Sequence, residues 1–290
     1  VADVLPADWP NREASQFVAA AGIRWHLQQM GSGPTLLCLH GTGAATHSWR
    51  TLAPLLGRGF RVVAPDLPGH GFTEVPRPGV LSLAGMAGAL RELLGVIGVR
   101  PDYVVGHSAG AAIGVRMTLD GAIQPRGIVS LNGAMLPLGG VAGLVFAGAA
   151  RLFSMAPFVS RLMARHVTRP DVVARLMRDT GSRLDEQGLD FYGRLARQPA
   201  HVASVLDMMA NWDLNSLVRD LPALDCPLLL VAAERDGMVP PEAATRIQAL
   251  VPRGRLVRLP DLGHLAHEEA PALVAGHILD FAAEATRHAA

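Results

Sequence analysis

Residues 102–114 read Asp-Tyr-Val-Val-Gly-His-Ser-Ala-Gly-Ala-Ala-Ile-Gly. The segment opens as a short apolar strand, Asp102–Gly106, and passes at Ser108 into a helix of small residues. Between them stands Gly106-His107-Ser108-Ala109-Gly110, a G-x-S-x-G motif in the strand–turn–helix setting it requires. A sharp turn there lifts a serine hydroxyl above the sheet, and the flanking glycines let backbones approach closely. An ordinary strand–helix connection leaves unexplained why a nucleophile occupies its one exposed position. Ser108 is therefore the expected nucleophile.

A neutral serine needs a base within hydrogen-bond reach, and the base needs an orienting acid. In this motif's setting the acid and then the histidine follow the serine along the chain. After the apolar strand Pro227–Ala233 comes Glu234-Arg235-Asp236-Gly237, and after Arg255–Leu259 comes Asp261-Leu262-Gly263-His264. Both loops leave a parallel sheet on the side of the Ser108 turn, so Asp236 and His264 are the expected acid and base. Glu234 is the competing acid, expected to be buried or paired. His267 is the competing base, expected at the surface or behind the site on the first turn of the last helix. Asp261 reads as a turn residue, and His107 as packed or hydrogen-bonded rather than catalytic. The oxyanion-stabilising N–H groups are expected from Ala109 and from Thr42, in the loop His40-Gly41-Thr42-Gly43, with His40 shaping that loop.

Around this centre, apolar strands alternate with helical patterns, which indicates an α/β fold with a mostly parallel eight-stranded sheet and helices on both faces. Gln16–Ala20 and Ile23–Met30 read as a hairpin; Pro34–Leu39, Phe60–Pro65 and Gly127–Leu131 as further strands. Helices are expected at Ser48–Leu56, Ser82–Ile97, Pro241–Leu250 and Glu268–Glu284. From Leu136 to Asp213 only helical patterns occur: Leu144–Phe153, Phe158–His166, Asp171–Arg178, Leu184–Ala196 and Val202–Met209. The expected organisation is a core from residues 1–135, a helical cap over 136–213 and the rest of the core over 214–290. Such a cap would lie over the carboxyl ends of the strands, where these sheets bind ligands. Trp49, Met135, Phe146 and Trp212 are the expected substrate-binding residues.

Composition removes several function classes. All 26 basic residues are arginine, which excludes Schiff-base lysine chemistry and a phosphate-binding P-loop. A net charge of +1 gives no reason to expect a nucleic-acid partner. Cys38 and Cys226 lie in or beside apolar runs without ligand spacing, so buried reduced thiols are expected, and no zinc site. Asp66 and His70, in the turn Pro65–Gly71, would be two ligands at most, and Asp66 reads as a tie for that loop. No metal and no organic cofactor are expected. Gly41–Thr46 imitates a dinucleotide fingerprint but carries Thr46 where close helix packing needs Gly or Ala. Gly127–Ala150 is uncharged but holds Asn132, Pro137 and several glycines, so a strand entering an apolar lid is expected rather than a membrane span. The first residues carry no signal-peptide pattern, and the expected location is the cytoplasm, with a peripheral place at the membrane left open.

The His40-Gly41 loop, the Asp66–Gly71 turn, Gly106–Gly110, Asp236, and Gly263-His264 with Glu269 and Pro271 together resemble the α/β-hydrolase superfamily across nearly the whole chain. Four longer strings resemble more narrowly the magnesium-chelatase accessory hydrolases of bacteriochlorophyll biosynthesis. They are His40–Arg50, Ser130–Pro137, Gly181–Asp185 and Met208–Leu214. The resemblance implies a role in photosynthetic pigment synthesis, a tetrapyrrole-related or ester-like small-molecule ligand, and magnesium chelatase subunits as partners. Under it, one or two of Arg151, Arg161, Arg165, Arg169, Arg175 and Arg178 would meet propionate carboxylates. The expected activity is that of a serine hydrolase forming an acyl-enzyme on an ester-like bond. Epoxide hydrolysis or dehalogenation would want a carboxylate at position 108. The rival expectation is a non-hydrolytic porphyrin-binding or chaperone role.

Overall fold

The computed structural model describes residues 5–137 and 170–289. Eight strands form one sheet in the order β1-β2-β4-β3-β5-β6-β7-β8. They are β1 (Ser15–Ala20), β2 (Ile23–Met30), β3 (Thr35–Leu39), β4 (Arg61–Pro65), β5 (Tyr103–His107), β6 (Gly127–Leu131), β7 (Leu228–Ala233) and β8 (Gly254–Leu259). The β1–β2 and β2–β4 pairs are antiparallel, and every later pair is parallel.

Alternation along each central strand explains why these runs are apolar throughout. In β3, Leu37 and Leu39 join one core layer while Leu36 and Cys38 join the other. The first layer is filled by α2 (Leu83–Val96), α3 (Ala109–Leu119) and α8 (Pro241–Leu250). The second receives α1 (Leu52–Leu56) and α10 (Pro271–Ala289). Helix α2 starts where Ser82 caps it, accepting a hydrogen bond from the Gly85 N–H at 3.1 Å. Neither cysteine forms a disulfide, and burial raises both thiols, that of Cys226 to about 12.

Two expected helices are divided, both by proline. A helix over Ser48–Leu56 would need an N–H at Pro54 to bond the Arg50 carbonyl. That carbonyl instead accepts from the Asn11 side chain at 3.2 Å, and the segment splits into a 3-10 turn, Thr46–Trp49, and the short α1. Pro271 likewise separates α9 (Ala266–Glu269) from α10, because it can open a helix but not continue one.

Between β6 and β7 the described residues form α4 (Pro170–Asp179), α5 (Glu186–Ala196), α6 (Pro199–Ala210) and α7 (Asn215–Asp220). The helices expected at Leu144–Phe153 and Phe158–His166 lie outside the described residues. Polar contacts seat α4–α6 on the loops at the strands' carboxyl ends. Thr180, just past α4, offers its carbonyl to the N–H groups of Gly237 and His264, each at 3.1 Å. The Arg50 guanidinium reaches Asp185, the N-cap of α5, and also Glu268. From α6, His201 Nδ1 accepts from the Gly71 N–H at 3.1 Å, and Met208 sulfur accepts from the Thr42 hydroxyl at 3.7 Å. No described helix is long and apolar enough to cross a membrane.

Candidate active site

Ser108 stands between β5 and α3 with φ 51° and ψ −116°, a conformation a non-glycine residue adopts only when its surroundings enforce it. Strand pairing continues through it: its N–H donates to the Leu131 carbonyl and its own carbonyl accepts from the Ala134 N–H, both at 3.0 Å. The motif's glycines admit this turn. A Cβ on Gly106 would lie 2.4 Å from Ala111 backbone atoms, and one on Gly110 would lie 2.1 Å from the Leu39 carbonyl oxygen. Ala109 opens α3, so its N–H has no intrahelical acceptor, and the positive end of the helix dipole faces the serine. Thr42 is half-buried in the turn after β3, where the Ala44 N–H bonds the Gly41 carbonyl at 3.2 Å.

Asp236 and His264 leave the carboxyl ends of β7 and β8, the rim on which Ser108 follows β5. His264 Nδ1 lies 2.7 Å from Asp236 Oδ2, and the Asp236 side chain is 1% exposed. The other oxygen, Oδ1, accepts from the N–H groups of Met238 and Val239 at 2.7 and 2.8 Å. With both oxygens bonded the carboxylate is fixed in direction, and it requires the Nδ1–H tautomer, which leaves Nε2 free to accept a proton. The structure thus brings acid and base together. Among the described residues neither the Ser108 hydroxyl nor His264 Nε2 is hydrogen-bonded.

Asp66 ties down the Pro65–Gly71 turn. It is fully buried and bonds the Thr46 N–H at 2.6 Å, the Phe72 N–H at 2.9 Å and His26 Nδ1 at 2.7 Å. Burial alone would raise its pKa, but the His26 ring and the N–H donors outweigh that and hold it below the usual carboxylate range. His40 Nδ1–H donates to the Gly41 carbonyl at 2.8 Å while Nε2 accepts from the Leu67 N–H at 2.9 Å, so this ring shapes the loop as a neutral group. Among the described residues no cluster of three or more His, Cys, Asp or Glu could hold a metal ion.

Several expectations need correction. His267 is not at the surface or on the last helix but lies behind the site, the other place expected for it: it is buried in α9, with Nε2 2.8 Å from the Ser48 hydroxyl and its ring 4.5 Å from that of His107. Burial lowers its pKa to about 3. Glu234 is exposed, being one residue past the end of β7. Trp49 is fully buried with Leu36, Cys38 and Leu52 in the second core layer rather than exposed at the rim. Met135 is buried in the first layer together with Leu136 and Met208, and Trp212 is half-buried against that layer. Phe146 lies outside the described residues.

Two groups escaped sequence reasoning. The Asn132 side chain bonds the carbonyls of Gly263 and His264. Glu268 accepts from Ser48 and Tyr192 at 2.7 Å each and from Arg50 at 2.5 Å. No pattern marks partners 76 to 220 residues away.

A model of the Alpha/beta hydrolase family matches residues 36–277. The chain belongs to this family. Within it, the chain is similar to the magnesium-chelatase 30 kDa subunit of Rhodobacter capsulatus, 38% identical over 279 residues, covering 96% of this chain and 97% of that one. It is also similar to the uncharacterized hydrolase YugF of Bacillus subtilis, 27% identical, over 88% of this chain and 92% of the relative. Among solved structures, an alpha/beta hydrolase fold protein from Burkholderia ambifaria superposes with a TM-score of 0.78 at 24% identity. That match covers 92% of this family member and 97% of the other chain.

Proposed function

We propose that the protein is a serine hydrolase that cleaves an ester-like bond through an acyl-enzyme and serves bacteriochlorophyll biosynthesis near magnesium chelation. The observation that carries this reading is the strained Ser108 at the start of α3, on the same rim as a His264–Asp236 pair at 2.7 Å. In the proposed reaction, the Ser108 hydroxyl oxygen attacks the carbonyl carbon while His264 Nε2 takes its proton, and Asp236 holds the imidazole by Nδ1–H. Thr42 and Ala109 N–H groups receive the oxyanion, each worth about a hundred- to a thousand-fold in rate. Collapse expels the alkoxide, which takes the proton from His264. Water then repeats the sequence on the acyl-serine, returning the acid and free Ser108. The Ser108–His264 hydrogen bond forms when substrate arrives, as catalytic bonds in unliganded sites are often long.

We assign α4–α6, the described helices of the expected cap 136–213, to a cap over this rim, supported by their seating on its loops. Arg178 and Arg175, the latter 4.0 Å from the Asp179 carboxylate, are exposed on α4 where an anionic ligand could reach them. The pigment role rests on similarity to a relative named as a magnesium-chelatase subunit. That name also favours the second reading, a porphyrin-holding accessory factor that needs no hydrolysis.

The two readings separate in a deletion strain complemented with native protein or Ser108→Ala, assayed for pigment, beside turnover of a p-nitrophenyl ester in vitro. Hydrolysis predicts loss of both in Ser108→Ala. Full pigment with Ser108→Ala would favour the binding role.

A further inference from the structure

The geometry points to His107 and Asn132 as positioning residues that hold His264 through its backbone carbonyl, an inference that rests on the proposed triad. His107 Nε2 lies 2.9 Å from the His264 carbonyl oxygen, and Asn132 Nδ2 donates to the same oxygen at 2.8 Å. Because that oxygen can only accept, His107 carries its proton on Nε2. Asn132 has no freedom to flip. Its Oδ1 accepts from the Ala233 N–H at 2.8 Å, which leaves Nδ2 for the carbonyls of Gly263, at 3.1 Å, and His264.

One oxygen is thus gripped by two buried side chains from adjacent strands. His107 ends β5 immediately before the nucleophile. Asn132 follows β6, whose Leu131 carbonyl accepts the Ser108 N–H at 3.0 Å. Asn132 also bonds Ala233 at the end of β7, three residues before Asp236. The base is therefore referenced to the nucleophile's own backbone and to the strand that carries the acid.

Two costs accompany the clamp. Asn132 adopts φ 47°, a left-handed conformation that strains a residue other than glycine. His107 Nδ1 is buried and has no hydrogen-bond partner among the described residues, and a Cβ on Gly41 would lie 2.7 Å from it, so the His40-Gly41 loop needs glycine to admit this ring. Burial, then the neighbouring His267 and His264, push the His107 pKa well below its ordinary value, which keeps the clamp neutral when His264 becomes charged.

Ring packing is the competing role for His107, whose centroid lies 4.7 Å from that of His264 and 4.5 Å from that of His267. His107→Phe keeps a ring and loses the donor, whereas His107→Gln loses the ring and keeps an N–H at the reach of Nε2. Asn132→Asp keeps the acceptor for Ala233 but turns a second oxygen toward two carbonyls. The measurements are the rate of Ser108 phosphonylation by a fluorophosphonate and the low-field proton resonance of the His264 Nδ1–H. Thermal unfolding confirms that each variant is folded.

The clamp predicts phosphonylation about 10- to 100-fold slower in His107→Phe and Asn132→Asp, the scale of a displaced catalytic group. It predicts a displaced resonance in both, and His107→Gln within a few-fold of native in rate. Native rates in His107→Phe together with loss in His107→Gln would assign packing and overturn the clamp, as would native rates and resonances in all three variants. If the native protein is not phosphonylated at all, the hydrolase reading falls and the resonance alone decides the clamp.

Discussion

At the scale of single residues, the site is a set of directions imposed on three side chains. Asp236 spends one oxygen on two loop N–H groups and the other on His264, so it acts on the imidazole by tautomer and orientation rather than by taking the proton. Asp236→Asn presents an amide that can donate to Nδ1 and stabilises the wrong tautomer. Ester turnover should fall about 10⁴-fold with little change in KM, as read from steady-state kinetics on a p-nitrophenyl ester; a loss under tenfold would remove Asp236 from its role. The sequence placed Ser108, Asp236 and His264 on one rim because each follows a strand of a parallel sheet, a relation that survives errors of a residue or two in strand ends. Asn132 was invisible in the same reading. Its importance lies in which carbonyls its amide reaches, and those belong to residues 131 and 132 positions away.

Elements follow local physics with one systematic exception. Ile23–Met30, Gly127–Leu131 and Pro241–Leu250 have the same bounds in sequence and structure, since each is delimited by glycine, proline or a change in hydrophobic pattern. Proline divided the two helices that periodicity alone would join. The join between α5 and the core was not legible, because its polar partners, Asp8, Arg50 and Glu268, come from three distant segments. Glu268 in α9 has a side chain that is 0% exposed; burial raises its pKa, and Tyr192, Arg50 and Ser48 act against that rise. Removing it by Glu268→Ala leaves the Arg50 guanidinium, whose side chain is 10% exposed, with the exposed Asp185 as its carboxylate partner, and takes the buried acceptor from the Ser48 and Tyr192 hydroxyls. Chemical denaturation should show a loss of about 3–5 kcal/mol, the usual cost of breaking a buried pair, and proteolysis should open α5 first. A loss below about 1 kcal/mol would show that the network does not hold the helix.

For the whole molecule, buried neutral histidines set the acid limit of stability. Burial lowers His201 to about 4 and His267 to about 3, and it depresses His40, His47, His70 and His107 as well. An unfolded chain protonates these rings near pH 6.5, whereas the folded chain resists until its lower pKa. The unfolded state therefore binds more protons in between, and stability falls as pH drops from about 6.5 toward 4, by about 1.4 kcal/mol per unit for each such ring. Unfolding midpoints in urea at pH 7.5 and 5.5 should differ accordingly, and equal midpoints would contradict the neutral assignment. The intact protein also carries the most direct test of the catalytic centre: mass spectrometry after treatment with a fluorophosphonate. A single adduct on the peptide containing Ser108, absent in Ser108→Ala and formed far more slowly in His264→Ala, is the predicted result. No adduct on the native protein, or one that persists in Ser108→Ala, would contradict it.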